Sequence, residues 1–365
     1  MNILIFNIKH NWGGITTEDE IIIREFKRLG HVVIVVARPK AKFALQSAFK
    51  DKFITFKPGA YFNLISILKV IKIIKKQKID LVITNTDKEI SIAGVAAKIC
   101  GIPNIRRAGS SDDLSDQRRF FTIMEKKLIT INLMPSQSVF DQAYQTNKKI
   151  DKKNYIPVYT GKTPIFYDLK EIEELKKSWG IKEGEKVLGI TCQLAKIKAI
   201  PDLINVFSRL IKIHTNLKLV ITGDGNEKEY LLQMTNDLQL NDKIFFTGFT
   251  KTPQLHAAAY DICLHTSHSE GIPNVLYEYL TVQKPIIISK VGGIPEVVKH
   301  EHDCLLYEPG DLDTLCHHIE TVLIKPEIAQ KIAVNASETA KIYTIDRFIS
   351  QLLEIFNEYI KRSKT

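Results

Sequence analysis

The stretch His268-Ser-Glu-Gly-Ile-Pro-Asn-Val-Leu-Tyr-Glu-Tyr-Leu280 decides the fold class of this 365-residue chain. It follows an apolar run, residues 262–265, that reads as a strand, and it passes from a loop into helical spacing. Gly271 lets the backbone come close to a ligand, and Pro273 suits a first helical turn because it has no amide hydrogen to leave unpaired. The amides around Gly271, Ile272, Asn274 and Val275 then project from a helix N-terminus, where phosphate is stabilised. A carboxylate beside phosphate repels it, so Glu270 and Glu278 make chemical sense at opposite ends of a ligand, each accepting hydrogen bonds from hydroxyls. Eight residues of helical rise span about 12 Å at most. Glu278 lies one turn beyond Asn274 on the same face, suited to two vicinal ribose hydroxyls. Spacing alone favours a plainer reading, with Glu270 a cap-region acid and Glu278 an exposed helix residue.

Outward from this stretch, short apolar runs alternate with amphipathic ones. Residues 187–191, 218–222, 243–246, 262–265 and 285–289 read as strands in the second half, and 2–6, 32–36, 81–84, 104–106 and 128–134 in the first. Strands alternating with helices mean parallel sheets in an α/β chain. Pro157, Gly161 and Pro164 punctuate a linker over 157–168, which divides the chain into domains 1–163 and 164–345. The last segment has helical spacing at Phe348, Leu352, Ile355, Phe356 and Tyr359, and residues 346–365 can return to the N-terminal domain or stay with the second.

Four further loops would line the carboxyl edge of the second sheet, where ligands bind in such folds. Thr191-Cys-Gln-Leu-Ala-Lys-Ile-Lys-Ala199 brings Lys198, a charge able to neutralise a departing phosphate, although a solvated loop lysine is the better reading if the loop stands alone. Ile221-Thr-Gly-Asp-Gly-Asn226 and Phe246-Thr-Gly-Phe249 are strand-to-turn signals, and Val291-Gly-Gly-Ile-Pro-Glu-Val297 follows the 285–289 strand. Asp311-Leu-Asp313 after Pro309-Gly310 reads as a helix start rather than a metal site.

In this order the residues resemble the family 4 glycosyltransferases of the GT-B fold, which have two Rossmann-like domains facing each other across a cleft. The resemblance covers nearly the whole chain. It is strongest over 187–308, in the Glu-x7-Glu element Glu270 to Glu278 and in Gly292-Gly293-Ile294-Pro295-Glu296, and weaker in Asn11-Trp-Gly-Gly-Ile15 and Leu29-Gly30-His31-Val32. It implies that Gly14 closes over the donor diphosphate and that Lys198 binds the phosphates. Glu270 and the segment Gly271, Ile272, Pro273, Asn274 and Val275 would hold the transferred sugar and the diphosphate. Glu278 would take the ribose, and Gly248 and Phe249 would approach the base. Lys198 and Glu270 are the expected catalytic pair, in a retaining transfer that uses no metal and no cofactor. Gln193 stands where the family usually has an arginine, and Ala199 where it usually has a glycine. Less positive charge thus reaches the leaving group, with Lys196 available to compensate. The family's histidine near the acceptor has no equivalent in Ile105-Arg-Arg-Ala-Gly-Ser-Ser-Asp-Asp113, so no general base is assigned. The implied function is sugar transfer from a nucleotide-sugar donor to a glycan or lipid-linked glycan, in bacterial-type cell-surface polysaccharide synthesis. The alternatives are a sugar-nucleotide epimerase of the same architecture and a degenerate, non-catalytic sugar-nucleotide-binding subunit.

Composition limits the rest. With 44% hydrophobic and 25% charged residues the chain is ordinary globular protein, not disordered. The opening residues 1–8 are apolar but lack a basic leader and a cleavage site, and no run is long enough to span a membrane. Five cysteines, odd in number and scattered, argue against a disulfide framework and fit a cytoplasmic protein. Residues 1–163 carry 28 Lys and Arg against 14 Asp and Glu, net +14, while residues 164–365 carry 23 against 27. No nucleic-acid motif accompanies that excess. Arg106 and Arg107, with Arg118 and Arg119, are candidates for an anionic acceptor. Residues 62–78 place Leu64, Ile67, Leu68, Ile71 and Ile74 at helical spacing among lysines. That pattern fits a domain helix with a buried stripe better than a helix lying on an anionic membrane, but it keeps peripheral contact with the inner membrane face open.

Overall fold

The computed structural model describes residues 1–10, 13–49, 53–109 and 119–364, apart from the side chains of 119–121. Asn11, Trp12, residues 110–113, Arg118 and the side chain of Arg119, all named above, lie outside the described residues. The chain divides into unit 1, Met1–Thr160 with Ile345–Thr365, and unit 2, Gly161–Thr344.

In unit 1, strands β1 (Asn2–Asn7), β2 (Val32–Ala37), β3 (Phe53–Thr55), β4 (Leu81–Thr84), β5 (Asn104–Arg107), β6 (Ile131–Met134) and β7 (Tyr155–Pro157) form one sheet in the order β3-β2-β1-β4-β5-β6-β7. Every pairing is parallel. The central strands are apolar without alternation, as NILIFN and LVIT show, because helices cover both faces. Their carboxyl ends meet at the buried Glu89. Its carboxylate accepts from the amides of Ile8 (2.9 Å), Asn85 (2.6 Å) and Thr86 (3.0 Å) and so ties the loop after β1 to the loop after β4. Burial pushes its carboxyl up to about 7 against the pull of those amides.

Unit 2 repeats the plan. Strands β8 (Lys186–Thr191), β9 (Leu217–Thr222), β10 (Ile244–Gly248), β11 (Ile262–His265), β12 (Ile286–Ser289) and β13 (Leu305–Tyr307) run parallel in the order β10-β9-β8-β11-β12-β13. Counted within each unit, both sheets begin 3-2-1-4-5-6, the strand order of a dinucleotide-binding sheet, in which direction reverses between the first strand and the fourth. Gly189 has no side chain for a steric reason, since a Cβ there would meet the Tyr260 ring at 2.0 Å. The Tyr260 hydroxyl in turn links Thr191 (2.9 Å) to Thr222 (2.7 Å) across β8 and β9.

Three strands escape the sequence reading: β3, β7 and β13, each only three residues long and each at an edge of its sheet. The run 128–134 is strand only from Ile131, because the helix Arg119–Leu128 takes its beginning. The last helix, Ile345–Lys364, packs in unit 1, where Phe348, Ile349, Leu352, Ile355, Phe356 and Ile360 join the core that contains Ile3, Ile5 and Phe26. The Phe356 and Phe26 rings lie 5.7 Å apart.

Because that helix completes the unit 1 core, Phe356→Ala should cost about 3–5 kcal/mol. Urea unfolding should show the loss in the unit 1 transition, and an unchanged midpoint would refute the placement.

Candidate active site

The reversal point of the unit 2 sheet lies between β8 and β11, and the loops that leave these two strands carry Lys198 and Glu270. After β8 the chain turns through a 3-10 segment, Lys196–Lys198, and enters the helix Ile200–Leu210. Ala199 joins them at φ 47°, in the left-handed region. A glycine would adopt that conformation without the cost of roughly 1 kcal/mol that alanine bears there. Thr266 Oγ1 donates to the Lys198 carbonyl (2.7 Å) and the His268 amide to the Ile197 carbonyl (2.9 Å), so the two loops are bonded directly to each other.

Lys198 Nζ forms an ion pair with Glu270 Oε1. Ser267 Oγ donates to the same oxygen (2.7 Å) and His265 Nε2 lies 3.3 Å from it. Burial raises the Glu270 carboxyl, but the His265 hydrogen bond and the Lys198 charge outweigh it and bring the group down to about 2. Burial pushes the His265 imidazole down against the opposing pull of Glu270, so the ring is held toward its neutral form. A carboxylate can only accept, which puts the ring proton on Nε2. Behind it, Ser289 Oγ lies 3.3 Å from His265 Nδ1 and donates to the Ser267 carbonyl (2.8 Å).

Glycines set the shape of the floor. Gly292 has φ +52°, and a Cβ there would strike the Glu270 carbonyl oxygen at 2.0 Å, while the Gly293 amide donates to the Gly271 carbonyl at 2.7 Å. Gly223, at φ +142°, would bring a Cβ within 1.8 Å of the Cys192 carbonyl oxygen. The turns that follow β9 and β12 are thus packed backbone to backbone against the Lys198 and Glu270 loops, a distance only glycine allows.

Gly271 and Ile272 continue from Glu270 to Pro273, which occupies the N-cap position of the helix Asn274–Leu280, one residue ahead of the first turn expected for it. No side chain caps that end. Asn274 and Val275 form its first turn. Glu278 is 6% exposed, a buried residue rather than the solvent-facing one that spacing alone favoured. Its Oε1 pairs with Lys162 Nζ at 2.9 Å, and burial raises its carboxyl while Lys162 lowers it.

The other expected site residues are placed less closely together. Gln193 and Lys196 are exposed in the β8 loop, and Gly248 (φ +75°) ends β10 with Phe249 exposed beside it. Gly14 begins the helix Gly14–Arg28 of unit 1. Arg106 and Arg107 are buried at 3% and 5% exposure on opposite sides of β5. Arg106 pairs with Asp87 (3.2 Å) and Arg107 with Glu18 and Asp19, so both charges are matched within the unit. Asp311 caps the helix Leu312–Ile324 by accepting from the Thr314 amide (3.0 Å), as the helix-start reading expects. His265, Ser267, Ser289 and Lys162 escape the sequence reading. The first two lie within five residues of Glu270, where a hydroxyl and an imidazole beside an isolated acid were the available signal.

Residues 171–339 match the family model described as Glycosyl transferases group 1. An N-acetyl-alpha-D-glucosaminyl L-malate synthase of Bacillus anthracis is 27% identical over 257 residues, covering 70% of this chain and 66% of that protein, so the chain spans just under two thirds of that relative's length. An alpha-monoglucosyldiacylglycerol synthase of Acholeplasma laidlawii is 22% identical over 382 residues, covering 96% of this chain and 94% of its own. Among solved structures, Anabaena Alr3699/HepE in complex with UDP and glucose superposes with a TM-score of 0.83 at 21% identity, over 98% of this chain and 99% of that one. The chain thus shares the two-sheet fold of that protein.

Glu270 makes the stability of unit 2 depend on acid. Its carboxyl is lower in the folded chain, about 2, than its ordinary 4.5, so its contribution is complete above pH 4.5 and is lost as the pH falls toward 2. Its size is roughly 3 kcal/mol. Chemical denaturation between these limits should give a shallower acid limb for Glu270→Gln than for wild type; parallel limbs would refute the ion-pair cluster.

Proposed function

We propose that this chain, whose residues 171–339 belong to the group 1 glycosyl transferases, is a glycosyltransferase using a UDP-sugar donor. Its acceptor is a glycan or a lipid-linked glycan in the synthesis of cell-surface polysaccharide. The observation that carries this reading is the Lys198–Glu270 pair at the reversal point of the unit 2 sheet, with the acid held ionised by His265 and Ser267. An ionised carboxylate offers acceptor oxygens to sugar hydroxyls but is no proton donor. Lys198, freed from it when a diphosphate enters, meets the charge that develops on the leaving group. Catalysis of this kind is positioning plus leaving-group stabilisation and calls for neither metal nor cofactor. The acceptor hydroxyl then attacks from the face the diphosphate vacates, with retention at the anomeric carbon: the acceptor oxygen bonds to that carbon, the carbon–phosphate oxygen bond breaks, and the hydroxyl proton leaves on the departing diphosphate. The UDP complex of the Anabaena protein supports the choice of donor nucleotide. The epimerase and non-catalytic readings draw no support from the relatives.

Thermal-shift titration with UDP, GDP and ADP tests the donor, because a ligand bound only by the folded state raises its stability by mass action. UDP should stabilise wild type and should stabilise Glu270→Gln and Lys198→Met less; no shift with any diphosphate would refute the assignment.

The reading includes peripheral contact with an anionic membrane through unit 1, which carries 31 Lys and Arg against 17 Asp and Glu. Among the described residues no helix is long and apolar enough to cross a membrane. The helix Leu64–Gln77 instead buries Ile67, Val70 and Ile74 and leaves Leu64, Ile65 and Leu68 exposed at 67%, 66% and 55%. Leu64 and Leu68 therefore lie outside the buried stripe that their spacing suggested. Tyr61 and Phe62 extend this apolar tip, and Lys69, Lys72, Lys75 and Lys76 follow along the helix. Apolar side chains that insert at the headgroup boundary and lysines worth about 1 kcal/mol each near anionic lipid suit such a surface. The lipid-glycosylating Acholeplasma relative supports it. Vesicles of phosphatidylcholine with phosphatidylglycerol should co-sediment the wild-type protein and not the Ile65→Asp, Leu68→Asp double variant; equal sedimentation would remove the membrane from the reading.

A further inference from the structure

Lys162 has no place in the sequence pattern of the site, yet its ammonium is the partner of Glu278, the acid that the donor reading sets against the ribose. Both side chains are largely withdrawn from water, at 14% and 7% exposure. Lys162 also reaches Glu278 from a segment that is fixed before its side chain is considered. Its amide donates to the Tyr343 carbonyl (3.1 Å), and Gln254 Nε2 donates to the Thr163 carbonyl (3.0 Å). Gly161 passes so close to Tyr343 that a Cβ would meet its carbonyl oxygen at 2.2 Å. A lysine side chain is costly to immobilise, and a backbone pinned on both sides of it reduces the freedom that remains to be lost.

We propose that Lys162 is a positioning residue of the donor site: its Nζ occupies Oε1 of Glu278 and turns Oε2 toward the vicinal hydroxyls of the donor ribose. The same contact cancels the carboxylate charge near a ligand that itself carries the negative charges of a diphosphate. An isolated buried carboxylate would protonate or repel the donor, whereas a paired one accepts hydroxyls without adding net charge. Lys162 is the charged group that acts on Glu278, and Glu278 in turn helps to raise the Tyr167 phenol behind burial and Glu171. Burial raises its carboxyl and Lys162 opposes the rise, so removing the lysine moves protonation toward neutral pH. The inference rests on the donor reading of Glu278 and assigns a new residue to it.

The test is calorimetric titration of UDP and of 2′-deoxy-UDP into the full chain as wild type, Lys162→Met, Lys162→Arg and Glu278→Gln, at about pH 6 and about pH 8. Lys162→Met should bind UDP roughly tenfold more weakly, as the loss of one charge-assisted contact implies, with the larger deficit at the lower pH. Its affinity for 2′-deoxy-UDP should fall by clearly less than its affinity for UDP, because the uncancelled charge acts on both nucleotides and the lost hydroxyl contact on UDP alone, and Lys162→Arg should retain most of the UDP preference. A merely structural role would weaken both nucleotides alike, and that result overturns the proposal. So does wild-type UDP preference in Lys162→Met when Glu278→Gln has lost it. If Glu278→Gln keeps the preference, the ribose assignment of Glu278 itself fails, and the role of Lys162 fails with it. The apo unfolding midpoints of the four proteins separate loss of fold from loss of binding.

Discussion

A carboxylate withdrawn from water must be compensated where it stands, and Glu270 is compensated from several directions at once. Lys198 arrives from the loop after β8, His265 and Ser267 from the end of β11, and Ser289 at the end of β12 holds the Ser267 carbonyl. None of these partners is useful a few ångströms away, because a hydrogen bond is lost over that distance. The close passage of the loops at Gly292 and Gly223 follows from this demand. Glycine is needed there because a Cβ at Gly292 would strike the Glu270 carbonyl oxygen and one at Gly223 the Cys192 carbonyl oxygen, displacing the loops that carry Glu270 and Lys198.

The same strand order produces a different result in unit 1. There too the first and fourth strands of the unit, β1 and β4, send their loops to a common buried acid, but the hydrogen bonds Glu89 accepts come from backbone amides, with Lys9 acting only as the weakest of the opposing influences. Burial keeps the Glu89 carboxyl near 7 against its amides, whereas at Glu270 the same burial is outweighed by the His265 hydrogen bond and the Lys198 charge, which bring it near 2. One acid serves as a fixed tie between loops. The other stays ionised and is presented where ligands enter such sheets.

Much of this was legible in the sequence. The apolar runs of the central strands and the glycine turns located the second sheet and the loops at its edge, because each rests on a local rule: burial on both faces, a backbone conformation. The Glu-x7-Glu element was legible only through the resemblance, since spacing alone left Glu270 a cap-region acid and Glu278 an exposed helix residue. What stayed hidden depends on partners distant in the chain. Lys162 and Glu278 are separated by more than a hundred positions, and nothing near either announces the other. Arg106 and Arg107 looked like surface cations because sequence cannot show that Asp87, Glu18 and Asp19 have folded against them. The three-residue edge strands carry too few residues for a period to emerge.

The return of the helix Ile345–Lys364 to unit 1 imposes an order on biosynthesis. Unit 2 is continuous from Gly161 to Thr344, so every residue of its core has been joined to the chain before the last helix is made. Residues 1–160 of unit 1 are made before unit 2 but lack Phe348, Leu352, Phe356 and their neighbours until unit 2 has been translated. The usual amino-to-carboxyl sequence of domain folding therefore cannot run through here, because unit 1 cannot complete its core first. The first half must wait with the core positions around Phe26 open to solvent, the state in which a chaperone would find something to hold.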